Sequence, residues 1–280
     1  MCELMGMSAN VPTDICFSFS GLMQRGGRTG PHCDGWGVAF YEGGGLRCFH
    51  DPQPCHSSAI AQLIESYPIK SENVICHIRQ ANVGRVSLAN THPFSRELWG
   101  QYWTFAHNGQ MPSFSPAPGP FKPVGSTDSE AIFCDLLNRL RAAFPQRPAL
   151  EDLMAHLTRA CAEYAQQGVC NLLISNGDWL FTLCTTKLAW ITRRAPFGPA
   201  QLSDVELAVD FQEHTTPNDV VTVIATEPLT SNEAWHTYAS GEWRLWQGGE
   251  TLLQGVLPGV LHAAGGGSVA KCDEAGTEQV

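Results

Sequence analysis

The chain has 280 residues, 43% hydrophobic and 16% charged, a composition that excludes a disordered polar chain and is long enough for a sizeable core. A formal charge of −10, with a pI near 5.4, argues against a general nucleic-acid or anionic-membrane binder while leaving room for a locally basic pocket. No run approaches the roughly 18 apolar residues of a membrane span, and the N-terminus lacks the basic and unbroken apolar regions of a secretory signal.

In chain order, MCELMGMSAN (1–10) puts a cysteine at position two and runs straight into an apolar segment. Weak helical patterns cover Ile15 to Gln24 and Ser57 to Tyr67, with strand-length runs at Trp36–Tyr41, Asn73–Ile78 and Tyr102–Ala106. SFSPAPGPFKPVGS (113–126) reads as a loop, and clear helical periodicity follows over Ser129–Phe144 and Ala149–Ala165. Strands return at Val169–Ser175, Trp179–Leu183, Leu188–Thr192 and Val220–Ala225, with RRAPFGPAQ (193–201) as a second loop. Strands, helices and strands again predict an α+β layered architecture in one domain over residues 2–262, and the tail 263–280 lacks apolar periodicity and reads as disordered. Eleven cysteines, an odd number without C-x-x-C spacing, read as reduced thiols in a cytoplasmic protein, most of them small core residues. His32/Cys33 and Cys55/His56 have no zinc-site spacing, so no metal and no cofactor is expected.

Four short motifs carry candidate chemistry: Cys2, Arg79 in HIRQANVGR, His92 and Asn108-Gly109 in NTHPF and FAHNGQ, and Asp128 in STDSE. Each has an ordinary structural reading. A cysteine is commonly a buried small residue, an arginine a surface ion pair, Asn-Gly a hairpin turn, and STDSE a helix cap. Together they match the needs of amide cleavage. If the initiator methionine is removed, Cys2 joins a thiol to a free α-amine, a nucleophile with its own base whose pKa is about 7.7–8.0. Asn108 and Gly109 offer a side-chain and a backbone N–H for a developing oxyanion, Arg79 a fork for a carboxylate, and Asp128 a counter-charge for an ammonium. A substrate with free α-groups and a distal amide is glutamine or a γ-glutamyl compound.

The set Cys2, Arg25-Gly26, DGWG (34–37), Arg79-x-Ala81, N-x-H-P (90–93), HNG (107–109) and TDSE (127–130) resembles the class II glutamine amidotransferases, densely to about residue 135 and more weakly to ATEPLTSNEAW (225–235). The resemblance implies an N-terminal-nucleophile hydrolase with a four-layer αββα sandwich. It also implies catalysis by Cys2, Asn108 and Gly109 through a γ-glutamyl thioester. Substrate contacts would come from Arg79, Asp128, Asn82, His107 and Arg25, with His92 and His107 shaping the pocket and neither moving a proton. Asn82 and Val83 depart from the family's threonine and histidine at those places. The segment after Asp128 has no phosphate-cradling glycine loop, so any synthase that uses the ammonia is a separate partner. Three readings follow: a stand-alone glutamine amidohydrolase, a γ-glutamyl hydrolase, and a silent glutamine-sensing subunit.

Overall fold

The computed structural model describes residues 2–81, 84–211 and 216–259. In chain order these form strand β1 (Glu3–Thr13), helix α1 (Cys16–Arg25), the hairpin β2 (Trp36–Glu42) and β3 (Gly45–Asp51), helix α2 (Ala59–Ser66) and β4 (Ser71–Ile78). Next come β5 (Phe94–Leu98), β6 (Gln101–Gln110), helices α3 (Asp128–Ala143) and α4 (Leu150–Ala165), β7 (Val169–Ser175), β8 (Leu180–Leu183) and β9 (Ala189–Arg194). The short strands β10 (Pro199–Gln201) and β11 (Ala208–Asp210) pair with each other. They precede β12 (Val220–Ala225), β13 (His236–Thr237), β14 (Glu242–Gln247) and β15 (Glu250–Val256).

Among the described residues the strands build a seven-stranded sheet, β13-β9-β12-β1-β4-β2-β3, and a six-stranded sheet, β15-β14-β8-β7-β6-β5. Period-two alternation decides which side each residue serves. Met5 and Met7 of β1 and Val74 and Cys76 of β4 join Phe19, Leu22 and Ile64 of α1 and α2 in one core. Phe105 of β6, with Leu172 and Ile174 of β7, packs on Ile132, Phe133 and Leu157 of α3 and α4 in another. The opposite faces meet each other through Leu4, Ile75, Ala106, Leu173, Leu180 and Trp246. Helices, sheet, sheet, helices is the four-layer αββα sandwich that the motifs implied.

Two local details place the site. HNG is no hairpin turn: it lies inside β6, where Asn108 pairs with Asn171 and Gly109 with Cys170. In STDSE the cap is Thr127, whose hydroxyl accepts from Glu130 N at 3.3 Å, so Asp128 opens α3 with its carboxylate turned elsewhere. The expected loop 193–201 is shorter than the sequence pattern indicates, because Arg193 and Arg194 extend β9 and 199–201 forms β10. The tail beyond 259 lies outside the described residues.

Candidate active site

Cys2 stands at the head of β1. Continuing the alternation of β1, it belongs to the same side as Leu4 and Gly6, the side facing the second sheet. Gly6 has no side chain because one would meet Leu180 at 3.0 Å, so the sheets approach closely beneath Cys2. Asn108 reaches across from the second sheet. Its Oδ1 accepts the Cys2 N–H at 2.9 Å, and its Nδ2 donates to the Cys2 carbonyl at 2.6 Å. Thr226 braces both, its hydroxyl accepting from Leu4 N at 2.8 Å and from Asn108 Nδ2 at 3.5 Å. The two sheets are therefore stitched together at the backbone of Cys2.

The thiol opens into a cleft with about 430 Å³ of free space including its mouth, lined by Cys2, Arg79, Gln80, Ala81, His92, His107, Gly109, Gln110, Thr127, Asp128 and Ser129. Arg79 is 3% exposed and donates to the carbonyls of Gly84 and Arg85 at 3.4 and 3.3 Å, which fixes its guanidinium at the wall. Asp128 accepts from Met111 N at 2.7 Å and from Ser129 N at 2.8 Å. His107 has both ring nitrogens engaged: Nε2–H donates to the Val169 carbonyl at 3.0 Å, and Nδ1 pairs with the Ser129 hydroxyl at 2.9 Å. Burial lowers its pKa, only partly offset by the Val169 carbonyl and Asp128, so the ring is neutral at pH 7. Gly109 is required as glycine, since a Cβ there would stand 1.8 Å from the Val169 carbonyl oxygen.

Burial raises the Cys2 thiol, opposed by the Gln80 amide and by Arg79. The Gln80 N–H points at Sγ from 3.3 Å, a donor that sequence reasoning missed because a backbone amide leaves no trace in residue type. Asp34 of DGWG holds the same segment, its carboxylate accepting from Ala81 N at 2.7 Å. Of the residues singled out from the sequence, the structure gathers Cys2, Arg79, His92, His107, Gly109 and Asp128 around one cleft, with Asn108 hydrogen-bonded to the Cys2 backbone. Asn82 lies outside the described residues. Arg25 is placed elsewhere. It ends α1, on the helix-covered side of the sheet, and donates to Glu3 at 3.1 Å, to Asp204 at 2.8 Å and to the carbonyls of Glu227 and Pro228. It does not line the cleft, and its ion pair with Glu3 is made to the neighbour of Cys2 in the chain.

A sequence profile described as "Glutamine amidotransferases class-II" matches residues 1–264. The chain belongs to the class II glutamine amidotransferases. It is 57% identical over 255 residues to "Putative glutamine amidotransferase YafJ" of Escherichia coli K12, a match covering 90% of this chain and all of that protein. It also resembles the crystal structure of a "predicted glutamine amidotransferase" from Pseudomonas aeruginosa. That likeness has a TM-score of 0.74 and 61% identity, over 90% of this chain and all of the other. The glutamine phosphoribosylpyrophosphate amidotransferase of Bacillus subtilis shares the fold at a TM-score of 0.56 and 12% identity, over 91% of this chain and 49% of that one. Within the fold class, this family member has no helix among the described residues long and apolar enough to cross a membrane, and none of them forms a metal-binding cluster.

Proposed function

We propose that this amidotransferase is a stand-alone enzyme that hydrolyses the side-chain amide of glutamine through a γ-glutamyl thioester on Cys2. The observation that carries the proposal is the reciprocal pair of hydrogen bonds between Asn108 and the backbone of Cys2, with the thiol facing a cleft that Arg79 and Asp128 also line. Removal of Met1 turns the Cys2 nitrogen into an α-amine beside its own thiol, with Asn108 Oδ1 orienting it. The amine takes the thiol proton as Sγ attacks the side-chain carbonyl carbon. Asn108 Nδ2 and the Gly109 amide receive the oxyanion. The C–N bond breaks, the amine returns its proton to the departing nitrogen, and water later cleaves the thioester to glutamate.

In this reading Arg79 pairs with the α-carboxylate, Asp128 with the α-ammonium, and His107 is a neutral wall. Arg25 acts through Glu3 on the placement of β1. The narrow cleft favours glutamine over bulkier γ-glutamyl compounds. The ammonia leaves free or passes to a separate synthase. Intact mass of the purified protein, before and after the glutamine analogue diazo-oxo-norleucine, tests the proposal. One adduct on Cys2 after loss of Met1, absent in Cys2→Ala, is expected. A retained Met1 or an unlabelled Cys2 would defeat it.

A further inference from the structure

The Cys2 sulfur meets both main-chain polar groups of one residue. The Gln80 N–H donates to Sγ at 3.3 Å, and the thiol donates to the Gln80 carbonyl at 3.5 Å. These groups belong to two successive peptide planes, 79–80 and 80–81, so both planes must be set for both groups to face the sulfur. The opposite edges of the two planes are held by a single residue. The Asp34 N–H donates to the Arg79 carbonyl at 3.1 Å, and the Asp34 carboxylate accepts from Ala81 N at 2.7 Å. The Arg79 N–H donates to the Gly35 carbonyl at 2.8 Å, which fastens the same contact one residue further along.

In a trans peptide the carbonyl and the N–H point in opposite directions. Drawing the Arg79 carbonyl toward Asp34 therefore turns the Gln80 N–H away from Asp34, and drawing the Ala81 N–H does the same to the Gln80 carbonyl. Both of the groups turned away meet Sγ. The first hold is main chain, and any residue at position 34 can make it. The second needs a short side chain that accepts a hydrogen bond. Asp34 is half-buried and stands behind the cleft wall rather than in it. The two Gln80 groups suit different protonation states: the carbonyl accepts from a thiol, whereas the N–H also holds a thiolate. Burial raises the Cys2 thiol, and the Gln80 amide opposes that rise ahead of the terminal amine and Arg79. Glu3 adds to the rise, and Asp128, His92 and His107 line the same cleft.

We propose that Asp34 is a positioning residue for the Cys2 sulfur, aiming both main-chain groups of Gln80 at Sγ so that the thiol is oriented before attack and the thiolate is held as it forms. The inference rests on Cys2 being the nucleophile of the reading above. When the α-amine takes the thiol proton, the contact from S–H to the Gln80 carbonyl ends. The Gln80 N–H then donates to a full negative charge, which makes its hydrogen bond stronger. Sulfur passes the electron pair to the carbonyl carbon, and the amide remains where Asp34 holds it. Asp34 itself touches no reacting atom. Its charge also acts on Arg79, whose cationic form burial disfavours and Asp34 supports, so position and charge are two separable effects of one side chain.

The test is the pH dependence of Cys2 alkylation by iodoacetamide in the full chain, read by mass on the N-terminal peptide. Asp34→Ala should slow alkylation at pH 7 about tenfold and move the profile up by about one pH unit, the size of one charge-assisted hydrogen bond weakened. Asp34→Asn keeps an acceptor for Ala81 N without the charge and should restore the wild-type profile. In turnover, kcat for glutamine should fall about tenfold in Asp34→Ala and recover in Asp34→Asn. An Asp34→Ala profile that coincides with wild type overturns the proposal. So does an Asp34→Asn profile displaced as far as that of Asp34→Ala, because the effect would then be one of charge. A second measurement needs no variant at position 34. The amide proton of Gln80, followed by NMR, should shift over the pH range of alkylation in wild type and lose that shift in Cys2→Ala. A Gln80 amide that ignores the thiol overturns the proposal. Diazo-oxo-norleucine labelling separates the levels: no adduct on wild-type Cys2 removes the nucleophile reading and this inference together, whereas normal labelling with coincident alkylation profiles removes only this one.

Discussion

Asn108→Ala tests the reciprocal hydrogen bonding on which the site is built. The wild-type side chain is 1% exposed and holds both backbone polar groups of Cys2, at 2.9 and 2.6 Å. Truncation strips those groups of partners. A buried group left unmatched costs about 1–3 kcal/mol, but Cys2 is half-buried and water relieves part of it, so the loss is set at about 2 kcal/mol. That loss falls on the residue at the head of β1 rather than on the fold, because β1 from Glu3 onward is paired with β4, and from Met5 also with β12. Urea denaturation should therefore show a modest shift in midpoint and an unchanged slope. Under the proposed mechanism Asn108 is also an oxyanion donor, so turnover should suffer more, with kcat falling about 10²–10³-fold. KM should hold within about threefold, because Asn108 bonds to Cys2 and Thr226 rather than to the groups assigned to the substrate's α-carboxylate and α-ammonium. Asn108→Asp, the same shape with an oxygen in place of Nδ2, should lose turnover to a similar degree. A truncated enzyme that keeps kcat while KM rises would refute the assignment, and Asn108 would then be a binding residue.

Arg79→Ala should raise KM for glutamine about a hundredfold with a smaller effect on kcat, the mark of lost ground-state binding; steady-state kinetics with unchanged KM would remove the carboxylate assignment. Gly109→Ala forces a methyl against the Val169 carbonyl and should abolish turnover and cost at least about 3 kcal/mol, read by thermal melting. Phe133→Ala removes the ring stacked on Phe105 at 5.1 Å between the second sheet and α3, and should destabilise by about 3–5 kcal/mol in urea titrations without touching KM in the surviving folded enzyme. His77, whose pKa falls to about 3, binds no proton in the folded state where the unfolded chain does, so stability should drop as pH falls from about 6.5 towards 3. The slope is at most about 1.4 kcal/mol per pH unit for one ring, and His77→Phe should flatten it; an unchanged slope in denaturation across that range would refute the sign.

How much of this was legible in the sequence follows from which faces are dry. The central strands β4, β6, β7 and β12 lie inside the sandwich and bury both faces, so their apolar runs stand out against Gly, Asn and Pro boundaries. Edge strands β3 and β15 are half wet, and GLRCFHD and ETLLQGV carry too few apolar residues to be read. β1 escaped as a defined strand for a different reason. Its inward face uses Gly6 and Ser8, small residues chosen by the close approach of the sheets and not by hydrophobicity. Asn108-Gly109 carries the strongest local turn signal, and pairing with Asn171 and Cys170 overrides it. Motif order located the cleft's residues, but backbone donors such as the Gln80 amide belong to no residue type and are invisible until the chain is folded.

Arg25 shows where motif order stops short. It stands among the site residues in motif order, yet strand alternation puts Cys2 and Glu3 on opposite sides of the same sheet. A side chain that reaches Glu3 from α1 is thereby on the helix-covered side, across the sheet from the thiol. Its guanidinium is taken by Glu3, Asp204 and two carbonyls, which ties the end of α1 and the segments around residues 204 and 228 to the head of β1. Burial raises the Glu3 carboxyl, and Arg25 opposes that rise, so the pair holds a charge in place beneath the strand. The consequence is a division by face. Groups on the inter-sheet side line the cleft, and groups on the helical side set where the strand begins. Arg25→Lys, which keeps the charge and loses the fork, should then lower kcat through a misplaced Cys2 and leave the dependence of rate on the leaving group as it was.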